Sequence, residues 1–300
     1  MSLRRNPPSR RQNGIALIVA LLVVAIVAGM ALLFTERQQM WMRQLEVRNN
    51  FTLATTSAFS AINMARLTLR DDARNNQVDH QREAWTIPIP PMSVENGQIS
   101  GHLKEVNGHF NLYNLLPTDG TLTVSDDSTA IKRAASAMGV TNGDLVKVLR
   151  ATLTVRRAEP KSTPELEEAL QRTDLSAESR ATLLKHAILL PEATPINVNF
   201  ADTEALQAAI AGLSATDASN LIAKRAGTPF LTLASFTSAL PESVRNSLDS
   251  SAVSIQSTYF LVQIDAWFND IHMGYESMLL RSGTDLPSIL WTRRASLAES

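Results

Sequence analysis

Between Gly14 and Thr35 the chain runs for 20 residues without a charged side chain, IALIVALLVVAIVAGMALLF. At about 1.5 Å per residue, a helix of that length is about 30 Å long, the thickness of a bilayer's hydrocarbon core. Arg4, Arg5, Arg10 and Arg11 precede it, and residues 1–35 contain no acid. A basic flank of this kind predicts a cytoplasmic N-terminus, with everything from about residue 36 outside the cytoplasm. Without those four arginines the 28 basic residues fall to 24 against 29 acidic ones, so the rest of the chain carries a net −5. Two other structures compete for the apolar run. A secretory signal has an apolar stretch of roughly 7–15 residues before a small-x-small cleavage site. Gly29-Met30-Ala31 offers such a site, yet the run continues through Leu32, Leu33 and Phe34. A core helix is the other alternative, but an apolar run this long behind a basic flank is foreign to soluble domains. The membrane span is the favoured reading.

The helix is expected to continue into water. From Thr35 to Leu69 there is no proline or glycine, and Phe51, Ala54, Ala58, Ile62, Ala65 and Leu69 recur at helical spacing. That stripe is narrow and small, suited to lying along a sheet or against other helices. Arg48, Asn49, Asn63, Arg66 and Arg70 face away from it. Residues 15–70 therefore read as one rod of roughly 80 Å. The first half, residues 15–34, is the transmembrane part, and residues 35–70 form a periplasmic stem.

A short basic leader ending in Gly14, an apolar segment starting at Ile15 and an amphipathic stem resemble a type IV prepilin-like protein. The resemblance implies that prepilin peptidase cuts between Gly14 and Ile15, leaving Ile15 as an N-methylated new terminus. Such proteins usually carry glutamate at the fifth position of the processed chain; here that residue is Val19. A carboxylate among apolar helices is tolerated only when paired, and in a pilus it pairs with a neighbour's terminal amine. A subunit without it cannot make that contact with a subunit ahead, and a subunit at the tip has none ahead.

Downstream, Leu69-Arg-Asp-Asp72, Val78-Asp-His80 with Trp85, and GHFNLYNLL at Gly108–Leu116 are similar to the general secretion pathway protein K family. That family comprises the large minor pseudopilins of type II secretion. The likeness spans nearly the whole chain. It implies an inner-membrane protein at the pseudopilus tip, partnered by minor pseudopilins I and J and by other pseudopilins, that initiates assembly for export of folded proteins. It also implies structural calcium.

The residues give a compatible fold by themselves. Segment 98–113 alternates as a strand pair, with Ile99, Gly101 and Leu103 on one side and Ser100, His102 and Lys104 on the other. Asn107-Gly108 is the predicted hairpin turn. Phe260, Val262, Ile264, Ala266 and Phe268 alternate with polar neighbours, Asn269-Asp270 turns, and His272–Arg281 returns; Ser288–Arg293 adds a third strand. Between Pro117 and Ser254 the texture changes. Of the chain's 16 aromatic residues, only Phe200, Phe230 and Phe236 fall there. Thr163-Pro164-Glu165 reads as a cap, a proline at the first helical position and a first-turn acid, and Ser214–Asp217 as a capping box. Strands on both sides of this stretch need one another, because a lone hairpin is barely stable. The expected fold is α+β: a type IV pilin-like long N-terminal helix on an antiparallel sheet, with a large all-helical insertion domain. The expected division is a leader at 1–14, the stem at 15–70, the first part of the β-domain at 71–117, the insertion at 118–253 and the remaining strands at 254–300.

Within the insertion, Ile196–Phe200, Thr203–Leu206, Leu221-Ile222 and Lys224-Arg225 form a helix-hairpin-helix-like pattern over 195–240. This supports an alternative function, a competence-type or type IV pilus minor pilin that binds DNA. DNA-binding hairpins hold phosphate on backbone amides of a glycine-rich turn. Here the turn has one glycine and an acid, and residues 195–250 set Lys224, Arg225 and Arg245 against five acids. A net −2 repels phosphate, so the unit is read as packing and no nucleic acid is expected.

No catalytic constellation is present. Cysteine is absent, which excludes thiolate catalysis and cysteine-ligated zinc. His80, His102, His109, His186 and His272 share no metal-ligand spacing, although His102 and His109 would face each other across the expected hairpin. No G-x-S-x-G, Walker or G-x-G-x-x-G sequence occurs. A periplasmic enzyme with an unrecognised site is the remaining third class. Asp71-Asp72 reads as a helix end and loop. Asp119, Asp126 and Asp127 are weak calcium candidates, since calcium takes several oxygens; no catalytic cofactor is expected.

Overall fold

The computed structural model describes residues 12–117, 124, 125, 127–158 and 165–295, with the backbone alone for 12–14. Most of the predicted leader, Asp119, Asp126, Thr163 and Pro164 lie outside the described residues.

One unbroken helix, α1 (Gln12–Asn75), carries the apolar run and the stem together. Its 64 residues span roughly 96 Å, longer than expected because it does not stop at Arg70. The acid pair read as a helix end is instead inside the last turns. Asp72 is retained there because its carboxylate meets Arg281 Nη1 at 3.1 Å, a partner 209 residues away that no local rule reveals.

A five-stranded antiparallel sheet lies against the stem in the order β1 (Ile89–Val94), β2 (Gly97–Glu105), β7 (Tyr259–Phe268), β8 (Ile271–Leu280), β9 (Ser288–Arg294). Ile99 and Leu103 of β2 and Phe260, Val262, Ile264, Ala266 and Phe268 of β7 point inward, as their alternation requires. The stem answers with Ala54, Ala58, Ile62, Ala65 and Leu69, all buried in the same cluster. Alanine at the contact lets the helix axis approach the sheet. Phe51, first of the predicted stripe, is left exposed rather than buried, with Arg294 of β9 stacked 4.8 Å from its ring centre. The turn between β7 and β8 is Asn269-Asp270 as expected, with Asn269 at φ 51°.

The predicted Asn107-Gly108 hairpin does not form. An earlier Asn-Gly pair makes the turn: β1 and β2 meet across Glu95-Asn96, with Asn96 at φ 60° and Gly97 opening β2. Pro90 and Pro91 are tolerated in β1 because it is an edge strand. At Asn107 the chain leaves the sheet, since the Asn107 side chain is engaged elsewhere: Oδ1 accepts the amides of Thr258 and Tyr259 at 3.1 and 2.8 Å. His102 and His109 consequently do not face each other across a hairpin; His102 stays exposed on the sheet.

The inserted chain between β2 and β7 begins with the short β3 (Phe110–Asn111) and then holds α2 (Thr129–Met138), α3 (Asn142–Ala158), α4 (Leu166–Gln171) and α5 (Ala177–His186). It continues through β4 (Ala187–Ile188), β5 (Ile196–Asn197), α6 (Thr203–Ala209), α7 (Ala215–Gly227), α8 (Leu233–Ala239), α9 (Glu242–Arg245) and β6 (Val253–Ser254). It has its own core, around Ile131, Leu145, Leu149, Leu183, Leu206 and Phe236. The helical texture is interrupted by two parallel ladders, β3 with β4 and β5 with β6. The first joins the start of the insertion to its middle, and the second joins the middle to its end. Helix α4 begins at Leu166 with Glu165 as its N-cap residue, two positions later than the sequence suggested, and Glu165 pairs with Arg293 of β9. At Ser214 the hydroxyl caps the Asp217 amide as expected, but the Asp217 carboxylate accepts the Ser214 hydroxyl itself, so the second half of the capping box is not formed.

Because Ile62 is fully buried between stem and sheet, Ile62→Ala should lower head stability by about 2–5 kcal/mol. Met64→Ala, two residues along on the 64 % exposed side, should leave the melting temperature within a degree or two. Thermal melts of the two variants in detergent check this.

Candidate assembly interface and the clasp behind it

Ile15 to Asn49 of α1 is exposed throughout, and within it Ile15–Phe34 bears no charge. Helical spacing wraps Ile, Leu, Val and Phe around the whole circumference, the mark of a helix whose solvent is lipid or other apolar helices. Val19, one turn beyond Ile15, is exposed, and the first acid on the helix is Glu36. Gly14 and Ile15 lie within the helix, so the predicted cleavage point is at its start. Between span and head, residues 35–50 form a bare stretch of about 25 Å, on which Met40, Trp41, Met42, Leu45 and Val47 are exposed. This outward apolar surface is the candidate assembly interface.

The head is fixed to the stem by polar groups the sequence does not announce. Asp79, in the loop after α1, is buried. Its carboxylate accepts the Ser257 amide at 2.6 Å and pairs with Arg281. Arg281 also reaches Asp72 on the stem, donates to the Ser257 carbonyl at 2.8 Å, and lies 4.7 Å from the Phe260 ring centre. One guanidinium thus joins stem, loop and sheet. A buried charge is tolerable on these terms, paired and hydrogen-bonded, and removing one partner would strand the other. Burial nonetheless dominates: desolvation pushes the Asp79 and Asp72 carboxyls above their ordinary values, against the pull of Arg281.

A second set of groups ties the insertion to the same point. Glu105, at the end of β2, is buried; Oε1 accepts the Ser257 hydroxyl at 2.5 Å and Oε2 the Gly108 amide at 2.8 Å. Gly108 has no room for a side chain, since a Cβ would lie 2.7 Å from that of Phe200 and 2.9 Å from Glu105 Oε2. Asn111 Oδ1 accepts the amides of Tyr113 and Leu190, while its Nδ2 donates to the Glu192 carbonyl and the Thr194 hydroxyl. Asn114 exchanges two hydrogen bonds with the Thr194 backbone. The spacing in FNLYNLL therefore places two carboxamides on one returning loop. Asn197 and Asn199 both donate to the Asp79 carbonyl at 3.3 Å, and Asn199 also exchanges hydrogen bonds with the Phe230 backbone. Trp85 packs on Phe200 and Phe260 with its Nε1 donating to Glu83.

The helix-hairpin-helix-like unit is present as α6 and α7; Lys224 is exposed on it, but the guanidiniums of the 195–250 segment are tied to the main chain. Arg225 donates to the carbonyls of Val198 and Phe200, and Arg245 to those of Thr237, Ser238 and Leu240. Guanidiniums committed to main-chain oxygens are unavailable for phosphate.

Among the described residues two groups could share a cation: Asp72, Asp79 and Glu83, and His186, Asp202 and Glu204. Arg281 already supplies positive charge to the first. In the second, His186 Nδ1 is 2.6 Å from Asp202 Oδ2, while Asp202 Oδ1 caps the Ala205 amide of α6. Of the calcium candidates, the described Asp127 is exposed and pairs with Lys132 at 3.0 Å, so it assembles no oxygen cage by itself.

Three comparisons bear on this arrangement. A family model described as type II secretion system (T2SS), protein K matches residues 196–256, from the Asn197/Asn199 segment to β6 and its exit. The chain is similar to type II secretion system protein K of Pseudomonas aeruginosa, with 27% identity over 305 residues covering 91% of this chain and 90% of the relative. Its fold is that of a chain in the crystal structure of the GspK–GspI–GspJ complex of the enterotoxigenic Escherichia coli type 2 secretion system. The TM-score is 0.68 at 18% identity, over 84% of this chain and 99% of that one.

The buried acids set a pH dependence. Desolvation raises Glu105 to about 8 and Glu83 to about 7. Both bind a proton more tightly folded than unfolded, so their contribution favours folding most at acid pH and declines as pH rises from about 4.5 toward 8. The melting temperature should fall between pH 5.5 and pH 8.5. Glu105→Gln should flatten that fall and raise the melting temperature at pH 8.5; an unchanged slope in the variant would contradict the assignment.

Proposed function

We propose that this chain, which belongs to the type II secretion system protein K family, is a minor pseudopilin that caps the pseudopilus and initiates its assembly. Its role in this reading is structural, not enzymatic. It crosses the inner membrane once through Ile15–Phe34, with the basic leader in the cytoplasm and the head in the periplasm. Prepilin peptidase cuts between Gly14 and Ile15, and the freed terminus is N-methylated.

The observation that carries this reading is a rod with no carboxylate before Glu36, joined to a head enlarged by a separately packed insertion. Stems of a fibre lie side by side, held by van der Waals packing between apolar helices. A subunit whose stem can be received from below, but which offers no carboxylate to a terminal amine ahead of it, fits one end of such a fibre. The insertion would crowd neighbours at any interior position. The solved chain with this fold was crystallised with GspI and GspJ, and by analogy the partners here are minor pseudopilins I and J.

N-terminal sequencing of the membrane protein tests the processing step. In cells with prepilin peptidase the sequence should begin at Ile15; in cells lacking it, upstream of Gly14. An unprocessed terminus in both strains would overturn the assignment. Co-expression with the two minor pseudopilins should give a complex that survives size-exclusion chromatography.

A further inference from the structure

The stem and sheet account for assembly and leave the insertion's own surface without a task. That surface carries a cleft of about 710 Å³ between α2, α6, the 193–196 loop and the 247–252 turn. Phe110, Leu115, Ala130, Ala209 and Ile210 give it apolar walls, and Arg133 lines it. Arg133 is half-buried on α2. Its Nε donates to the Ala208 carbonyl at 2.9 Å, which fixes the guanidinium plane at the end of α6. A guanidinium has five N–H donors. Among the described residues no acceptor takes the other four, and no carboxylate lies within ion-pair distance.

This sets Arg133 apart from the other arginines held by the head. Arg225 and Arg245 each satisfy two or more carbonyls, and Arg281 is matched by two carboxylates. Burial without a counter-charge disfavours the Arg133 cation, and desolvation is what lowers its pKa. A partly desolvated guanidinium with a free planar edge is best completed by a carboxylate, which can accept two parallel hydrogen bonds.

We propose that this cleft binds an acidic peptide segment of a protein partner, with one carboxylate side chain on Arg133 and flanking apolar side chains against the walls. The cleft's shape and charge select this class. Its volume far exceeds that of a single inorganic anion. A phosphate group would call for more than one cation, whereas here Asp249 stands on the rim and opposes a second negative charge. The walls offer apolar surface that only an organic ligand would cover. The proposal goes beyond a role in fibre assembly: it gives the insertion a recognition function that a stem or sheet contact does not supply.

The test measures binding of a blocked heptapeptide with a central glutamate between leucines to the full chain in detergent, by isothermal titration calorimetry. The glutamine counterpart serves as the matched control. The glutamate peptide should bind at least 10-fold more tightly than the glutamine peptide. Arg133→Met should lose that same factor, and Arg133→Lys should retain part of it, with circular dichroism melts matching the parent. Sodium phosphate should displace the peptide no better than sodium acetate at equal ionic strength. Equal binding of the two peptides by the parent chain would overturn the proposal, whether or not Arg133→Met folds. So would preferential displacement by phosphate, or undiminished binding by a folded Arg133→Met.

Discussion

A guanidinium removed from water has to be met by hydrogen-bond acceptors, and Arg281 is met by acids from two other parts of the chain. Asp72 comes from the last turn of the stem, Asp79 from the loop that follows, and the Ser257 carbonyl from the approach to β7. The geometry depends on all of them at once. If the stem rotated, Asp72 would leave; if the insertion shifted, Ser257 would move and with it the Asp79 and Glu105 contacts. Apolar packing between Ala54–Leu69 and the sheet supplies most of the adhesion, but it is non-directional. The polar clasp fixes the register. Its polar groups are satisfied by one another, which is the condition under which a buried network specifies structure rather than weakening it.

The parts of the fold written in periodic patterns were legible in the sequence. The apolar run, the small-residue stripe on the stem and the alternation of β7 follow from periodic spacing or run length, and each appears where expected. The errors share a cause. Asn107-Gly108 has the local chemistry of a turn, but Asn107 is used by Thr258 and Tyr259, about 150 residues away. Asp71-Asp72 looks like a helix end because the partner of Asp72 is at position 281. Short polar side chains have strong local preferences, and distant partners override them without leaving a periodic trace. The clasp was half visible: the GHFNLYNLL and Val78-Asp-His80 segments could be picked out as a family likeness, while the bonds they make could not.

Function divides along the same line. The first part of the rod, Ile15–Phe34, is exposed, apolar and uncharged, a surface for lipid and for like helices. The insertion is a separate packed body held at one end by Asn111, Asn114, Asn197 and Asn199. Its arginines at 225 and 245 are held by main-chain carbonyls, and the net −2 of residues 195–250 disfavours phosphate, so its hairpin unit reads as scaffold. Such a body can project from a fibre without disturbing the stem. The rod is therefore the assembling part, and the head limits where the rod can stand.

The central claim is that the exposed stem serves assembly, beyond simple anchoring. The chain contains no cysteine, so a single Met42→Cys change places one thiol on the bare stretch between span and head, where Met42 is exposed. Bismaleimide cross-linking in cells that express the whole secretion machinery should then join this chain to other pseudopilins carrying a cysteine at the equivalent stem position. The account predicts those heterologous products. Only monomer, under conditions where the pseudopilins cross-link among themselves, would contradict it.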